Sequence, residues 1–247
     1  MAVKRIHLEA VKSTNHYLSE LLKKNPDMGE VLLTSDYQDS GRGQGAHVWH
    51  SMPGENLLMS FLLYPAFLSA SRQFQLSRLA SLALIDTLKE LKLPAQIKWP
   101  NDILVQGRKV AGILIENGVS GKNLSHTIIG IGLNLNQTEF PEFRHEASSV
   151  ALEKGLCCNR KEVTEVLLEA LMQRYRQLKE GETSELESEY LDHLFMLNLP
   201  AVFSSRGESF TGTIRGLSEL GELLVERAGL TRAYDFQEIS FPGGRVN

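Results

Sequence analysis

The sequence predicts an α+β fold, and three observations predict it. Segments of two-residue and of helical apolar periodicity both recur along the 247-residue chain. They do not alternate in regular βαβ order, which disfavours a doubly wound parallel sheet. From "NLP" at residues 198–200 onward, the pattern changes to short strands separated by glycine turns. That suits a small barrel of about five strands. The expected organisation is a large unit over residues 1–197 and a barrel over residues 198–247.

The elements follow in order. "STNHYLSELLKKNP" reads as a helix: Ser13 or Thr14 can cap it, Leu18, Leu21 and Leu22 form its stripe, and Pro26 ends it. "EVLLTSDY" is a strand running into the glycine-rich "SGRGQGAHVWHS", and "NLLMSFLLYP" is the strand leaving it. "SASRQFQLSRLASLALIDTLKELKLP" is a long helix, with Leu76, Leu79, Ala83, Leu84, Leu88 and Leu91 at helical spacing. "QIKWPNDILVQGRKVAGILIE" reads as strand, turn and strand, turning at Gln106, Gly107 and Arg108. "HTIIGIGLNLNQ" is a further strand. "NRKEVTEVLLEALMQRYRQLKEG" is a helix in which Asn159 and Glu162 form a capping box, and "SELESEYLDHLFML" is one more. The barrel strands are "AVFSS", "SFTGTIRGL", "GELLVER" and "TRAYDF".

Composition narrows the function. The net charge of −4 gives no global basic field for nucleic acid or acidic membranes. The N-terminus lacks the apolar core of a signal peptide, and no apolar run approaches a membrane span. Cys157 and Cys158 are adjacent, which suits neither a disulfide framework nor a metal site. A cytoplasmic protein is expected, with no nucleic-acid or membrane partner.

Gly41, Gly43 and Ala46 match a permissive dinucleotide-binding fingerprint, but that motif opens a helix, and here Pro53-Gly54 and a strand follow. Gly121-Lys122 lacks the rest of a phosphate-binding Walker sequence. No hydrolase nucleophile elbow or zinc-protease motif occurs. What remains is either a solvated hairpin loop or an anion-binding loop with free N–H groups, a cation at Arg42 and an aromatic at Trp49.

Two other segments bear on the choice. In "IIGIGLNLN" the isoleucines and leucines share one face, while Gly130, Gly132, Asn134 and Asn136 share the other. Such a face serves either close helix packing or a ligand lying flat on the backbone. In "GRKVAGILIE", Lys109 opens an apolar strand that contains Gly112. Lys109 is either exposed at the turn or turned inward, where it needs an anion: Asp102 or a ligand.

Taken together, "STN" at residues 13–15, "YQDSGRGQ", Trp49, "KWPNDILVQGRKVAGILIE" and "IGIGLNLN" resemble the sequence blocks of the biotin–protein ligase family, in its order and over nearly the whole chain. The resemblance implies a catalytic domain related to class II aminoacyl-tRNA synthetases, followed by an SH3-like barrel. It also implies a reaction joining biotin to a lysine of a biotin carboxyl carrier protein through biotinyl-AMP, with ATP and Mg²⁺. It puts biotin contacts at Ser13, Thr14, Asn15 and Gln38, the ligand loop at Gly41, Arg42, Gly43 and Gln44, and the key lysine at Lys109. Gln44 stands where many members carry a second arginine. Some members begin with a DNA-binding domain; this sequence starts almost at the first block, so no repressor function is expected. A monomer and a homodimer are both compatible with the resemblance.

The chemistry assigns roles. Lys109 is expected between the biotin carboxylate and the α-phosphate, and Arg42 on phosphate oxygens. Gly112, Gly130, Gly132 and Asn134 are expected beneath the nucleotide, with Trp49 stacking near adenine or pinning the loop. Asp102 is a base or orienter for the acceptor lysine, or else a hairpin cap. A lipoate ligase or octanoyltransferase of the same superfamily is the nearest rival.

Overall fold

In a computed structural model of the chain, residues 3–45, 47–141 and 147–240 are described. Ala46 and the last seven positions of the expected barrel, 241–247, lie outside them. The element order is β1 (Lys4–Val11), α1 (Thr14–Lys24), β2 (Val31–Gln38), β3 (Leu57–Leu63), α2 (Phe74–Glu90), β4 (Ala95–Lys98), β5 (Asp102–Val105), β6 (Arg108–Ser120), β7 (Asn123–Leu133), α3 (Val150–Lys154), α4 (Arg160–Glu180) and α5 (Thr183–Asp192). Then come β8 (Pro200–Ser205), β9 (Glu208–Leu217), β10 (Leu223–Arg227) and β11 (Leu230–Tyr234). The fold is α+β, as the sequence predicts.

Strands β1 to β7 form one mixed sheet in the order β1-β2-β3-β7-β6-β5-β4. Only β1 and β2 run parallel; every other neighbouring pair is antiparallel. Strand β3 is central and buried along its whole length, so both faces of the sheet are covered there. Leu57, Met59, Phe61 and Leu63 turn toward the main core with α2, α4 and α5. Leu62 turns the other way and packs with Leu18 of α1, Val31, Leu33 and Ile128. Each such buried side chain contributes about 1.5–3 kcal/mol.

Helix α1 covers only one end of its face of the sheet. It ends at Lys24, two residues before Pro26, and its apolar contacts lie at Leu62 and Ile128. The rest of that face carries Ser60, Gly130, Gly132 and Gly112, paired as Ser60↔Gly130 and Gly112↔Gly132. This uncovered, nearly side-chain-free area is where the glycine loop folds over.

On the opposite face, α4 is tied to the edge strands by ion pairs. Arg160 Nη1 reaches Asp36 Oδ1 at 2.7 Å, and His7 Nε2 lies 3.3 Å from Asp36 Oδ2. Burial works to raise the Asp36 pKa, but Arg160 and His7 together hold it below its ordinary value.

Strands β8 to β11 form an antiparallel sheet in the order β11-β10-β9-β8, and Ser240 bridges back to Ser204. Its interior (Phe203, Phe210, Ile214, Leu223, Val225, Tyr234) is continuous with the main core. The indole N–H of Trp99, between β4 and β5, donates to Gly221 O at 2.9 Å.

Two sequence expectations are corrected, and two elements go unread. The segment "QIKWPNDILV" is not one strand: β4 and β5 form a hairpin turning at residues 99–101. The long helix divides at Gln73, with a 3₁₀ turn over Ala70–Arg72 preceding α2. Strand β1 and the short α3 carry no periodic signal strong enough to be read; most of β1 is exposed at the sheet edge.

Candidate active site

The site begins at the N-terminus of α1. Ser13 caps the helix, its Oγ accepting from His16 N at 3.5 Å. Thr14 donates to Gln38 Oε1 twice, through its backbone N–H at 2.7 Å and its hydroxyl at 2.9 Å. Asn15 donates from Nδ2 to Leu114 O at 3.1 Å and to Glu116 Oε2 at 2.9 Å. The Ser60 hydroxyl lies 2.7 Å from Thr14 Oγ1 and 2.6 Å from Asn15 Oδ1, and its single proton serves one of them. The result is a polar, largely buried pocket of mixed donors and acceptors.

Its floor is the glycine face. A Cβ on Gly130 would lie 2.9 Å from Asn15 Cγ, and one on Gly132 would lie 2.6 Å from Trp49 Cζ2. Both glycines therefore admit protein groups, a first-turn side chain of α1 and an indole. The Trp49 ring also reaches over Gly112, 3.1 Å from where a Cβ would be.

Residues 41–45 and 47–49 make the two arms of a narrow hairpin over that floor. Trp49 N donates to Gly41 O at 2.9 Å and Gly43 N to His47 O at 2.8 Å. Gly41 leaves no room for a side chain: a Cβ would meet Trp49 O at 2.6 Å. Gln44 lies at the hairpin tip, its carbonyl accepting His47 N at 3.3 Å. Arg42 does not point to open solvent; its Nη2 is 2.9 Å from both carboxylate oxygens of Glu116.

At the other end of the floor, Lys109 Nζ lies 2.5 Å from Asp102 Oδ1. The inward alternative therefore holds for this lysine, with Asp102 as its anion. A β-bulge makes the encounter possible. Ile103 pairs with Ala111 but Leu104 with Lys109, which leaves Val110 as the extra residue. Regular alternation would put Lys109 and Gly112 on opposite faces; the bulge turns Lys109 back to the face of Gly112, 3.4 Å from where its Cβ would be. The bulged backbone is braced: Ser148 N donates to Lys109 O at 2.9 Å and Asn134 N to Val110 O at 2.8 Å. The Lys109 ammonium also lies 5.8 Å from the Trp49 ring centroid.

Asn134 is buried and donates from Nδ2 to Ser148 O at 2.9 Å, while its Oδ1 accepts nothing. Trp49 Nε1 is likewise buried without an acceptor. An unpaired buried group costs about 1–3 kcal/mol, and Ser81 Oγ and Thr127 Oγ1 are open in the same way. Beyond Asp102, a cavity of about 460 Å³ opens between Lys98, Trp99, His47 and the barrel residues Phe203, Leu223 and Phe236.

Two residues of this constellation escape sequence reasoning, Ser60 and Glu116. Ser60 does leave a trace: it is the sole polar residue in the buried run "LLMSFLL". Glu116 ends "GILIE" with nothing in the sequence to separate it from a solvated charge.

A sequence profile of the biotin/lipoate A/B protein ligase family matches residues 7–134, which hold nearly all of this site. The chain belongs to that family. Within the biotin/lipoate ligase family, the Bacillus subtilis bifunctional ligase/repressor BirA is 30% identical over 234 residues, covering 93% of this chain and 71% of the relative. The biotin–[acetyl-CoA-carboxylase] ligase of Paracoccus denitrificans is 30% identical over 96% of this chain and 100% of its own length. Among solved members, the biotin protein ligase of Aquifex aeolicus in complex with biotin and ATP superposes with a TM-score of 0.80 at 30% identity, over 96% of this chain and 97% of that one. The profile match ends at residue 134, just past β7, while the superposition covers most of the C-terminal antiparallel sheet as well.

Proposed function

We propose that the chain is a biotin–protein ligase, forming biotinyl-5′-AMP from biotin and ATP and passing biotin to a lysine of a biotin carboxyl carrier protein. One observation supports this most: two cations, Lys109 and Arg42, share one face of the sheet, each resting on a carboxylate that an incoming anion can replace. Relatives named as biotin ligases, rather than lipoate ligases, favour this reading over the lipoate alternative.

The ureido ring of biotin carries donors and an acceptor but no charge. Ser13, Thr14, Asn15, Gln38 and Ser60 offer matching partners at the mouth of α1. The carboxylate then faces Lys109. Its oxygen attacks the α-phosphorus of ATP, a P–O bond to pyrophosphate breaks, and pyrophosphate leaves. Two negative groups must approach each other, and a lysine between them offsets their repulsion without reorganising. Arg42 takes phosphate oxygens at the loop, where the Gly43 N–H is already committed to His47 O. The open Oδ1 of Asn134 suits an amino donor of the adenine, and Trp49 walls the slot.

In the second step the acceptor amine attacks the acyl carbon and AMP departs. The amine must shed a proton; Asp102, relieved of Lys109 once the adenylate has drawn that cation away, is the acceptor within reach. The cavity between the β4–β5 turn and the barrel leads to Asp102 from outside and is the entry proposed for the acceptor lysine. Residues 1–197 then act as the catalytic unit and 198–247 as the barrel that frames this entry. The described residues contain no cluster of three or more acidic, histidine or cysteine side chains able to hold a resident metal. Mg²⁺ is therefore read as part of the ATP substrate. No described helix is long and apolar enough to cross a membrane.

The test is incubation with ATP, Mg²⁺, biotin and a carrier domain, with the mass of that domain as readout. Exchange of ATP with pyrophosphate driven by lipoate but not biotin would overturn the choice of acid.

A further inference from the structure

Glu116 is the charged residue of the site that the activation chemistry leaves without a task. It lies on β6 opposite Ile128, on the α1 face with Gly112. Its two oxygens each stand 2.9 Å from Arg42 Nη2, and its Oε2 also accepts Asn15 Nδ2 at 2.9 Å. One carboxylate thus ties the first turn of α1 to the glycine loop.

We propose that Glu116 is a positioning residue for Arg42: it holds the guanidinium over the site while no anion is bound and yields it to nucleotide phosphate oxygens. This rests on the acyl-adenylate reading above. The backbone bonds of the hairpin fix Gly41, Gly43 and Trp49 but leave the Arg42 side chain free to swing. A long side chain loose in water would have to be ordered at the moment of binding, which weakens affinity. Glu116 does that ordering beforehand. The hold is also weak enough to break. The Arg42 and Glu116 side chains are 46% and 37% exposed, and an ion pair so open to water contributes at most about 1 kcal/mol. Phosphate oxygens, with more charge and more acceptor positions, compete for the same donors. Asn15 keeps the vacated carboxylate in place, because its own side chain is wedged between Ser60 and Gly130.

Glu116→Gln separates charge from shape. The amide oxygen can still accept from Asn15 and from Arg42 Nη2, as Glu116 Oε2 does, so the ring pocket, the fold and the ordering of Arg42 are retained, while the negative charge that competes with phosphate is removed. The KM for ATP in biotin-dependent ATP–pyrophosphate exchange is expected to fall between about twofold and fivefold, the range such an exposed pair allows. The KM for biotin stays unchanged, and biotinyl-AMP leaves more slowly. In an Arg42→Ala background, adding Glu116→Gln changes none of the three. A KM for ATP that is unchanged or higher in the single variant overturns the proposal, as does the same fall without Arg42. The unaltered enzyme is assayed first: no biotin-dependent exchange there rejects the acyl-adenylate reading itself.

Discussion

Lys109 and Asp102 meet at 2.5 Å because one extra residue, Val110, turns the lysine round on its strand. The bulge thus converts a position that alternation would send to the other face into the cation of the site. Lys109→Ala removes that cation and is expected to lower biotin-dependent pyrophosphate exchange by about 10²–10³, the scale of losing one preorganised electrostatic partner. Exchange near the unaltered level would reject the assigned role.

Gly132 carries the indole of Trp49, with no space between them. Gly132→Ala is expected to push the ring off the floor and raise the KM for ATP. Tryptophan emission reports the displacement directly, because the only other tryptophan, Trp99, is buried and hydrogen-bonded to Gly221. A red shift in the variant is expected; an unmoved spectrum with unchanged KM would show that the ring tolerates a methyl group beneath it.

Gln44, at the tip of the glycine hairpin, is uncharged. Gln44→Arg adds a cation to the loop that closes over a phosphate ester, and escape of biotinyl-AMP is expected to slow. Release measured by trapping free adenylate checks this; an unaltered rate means another group already retains it.

Asp36 supplies a pH dependence. Its folded pKa is depressed by Arg160 and His7 against the opposing effect of burial. The unfolded chain then binds the proton more tightly than the folded one. The contribution to stability is complete above the unfolded value, about pH 4, and is lost as pH falls through the lower folded value. Melting temperatures of the unaltered chain and Asp36→Asn should differ at pH 6 and converge in strong acid. A gap that persists at low pH would show that the variant acts through packing instead.

The sequence makes some of this legible and hides the rest for definite reasons. Helix α1, with Ser13 as its cap, and helix α4, with Asn159, announce themselves through apolar spacing and capping chemistry. The glycine face of β7 is plain as a pattern, yet its use is not: only the fold shows Asn15 over Gly130 and Trp49 over Gly132. The meeting of Lys109 with Asp102 depends on a bulge, and no periodicity marks a bulge in "KVAG". Glu116 becomes meaningful only once a loop 74 positions earlier folds across it. Pairwise geometry between distant segments is set by topology, which local pattern does not encode.

The bond from Trp99 to Gly221 has a mechanical meaning. The turn it fastens leads straight into Asp102, so the C-terminal sheet serves as an abutment for that end of the large sheet. The C-terminal sheet also shares the main apolar core, so this end of the large sheet is buttressed by packing as well as by the indole.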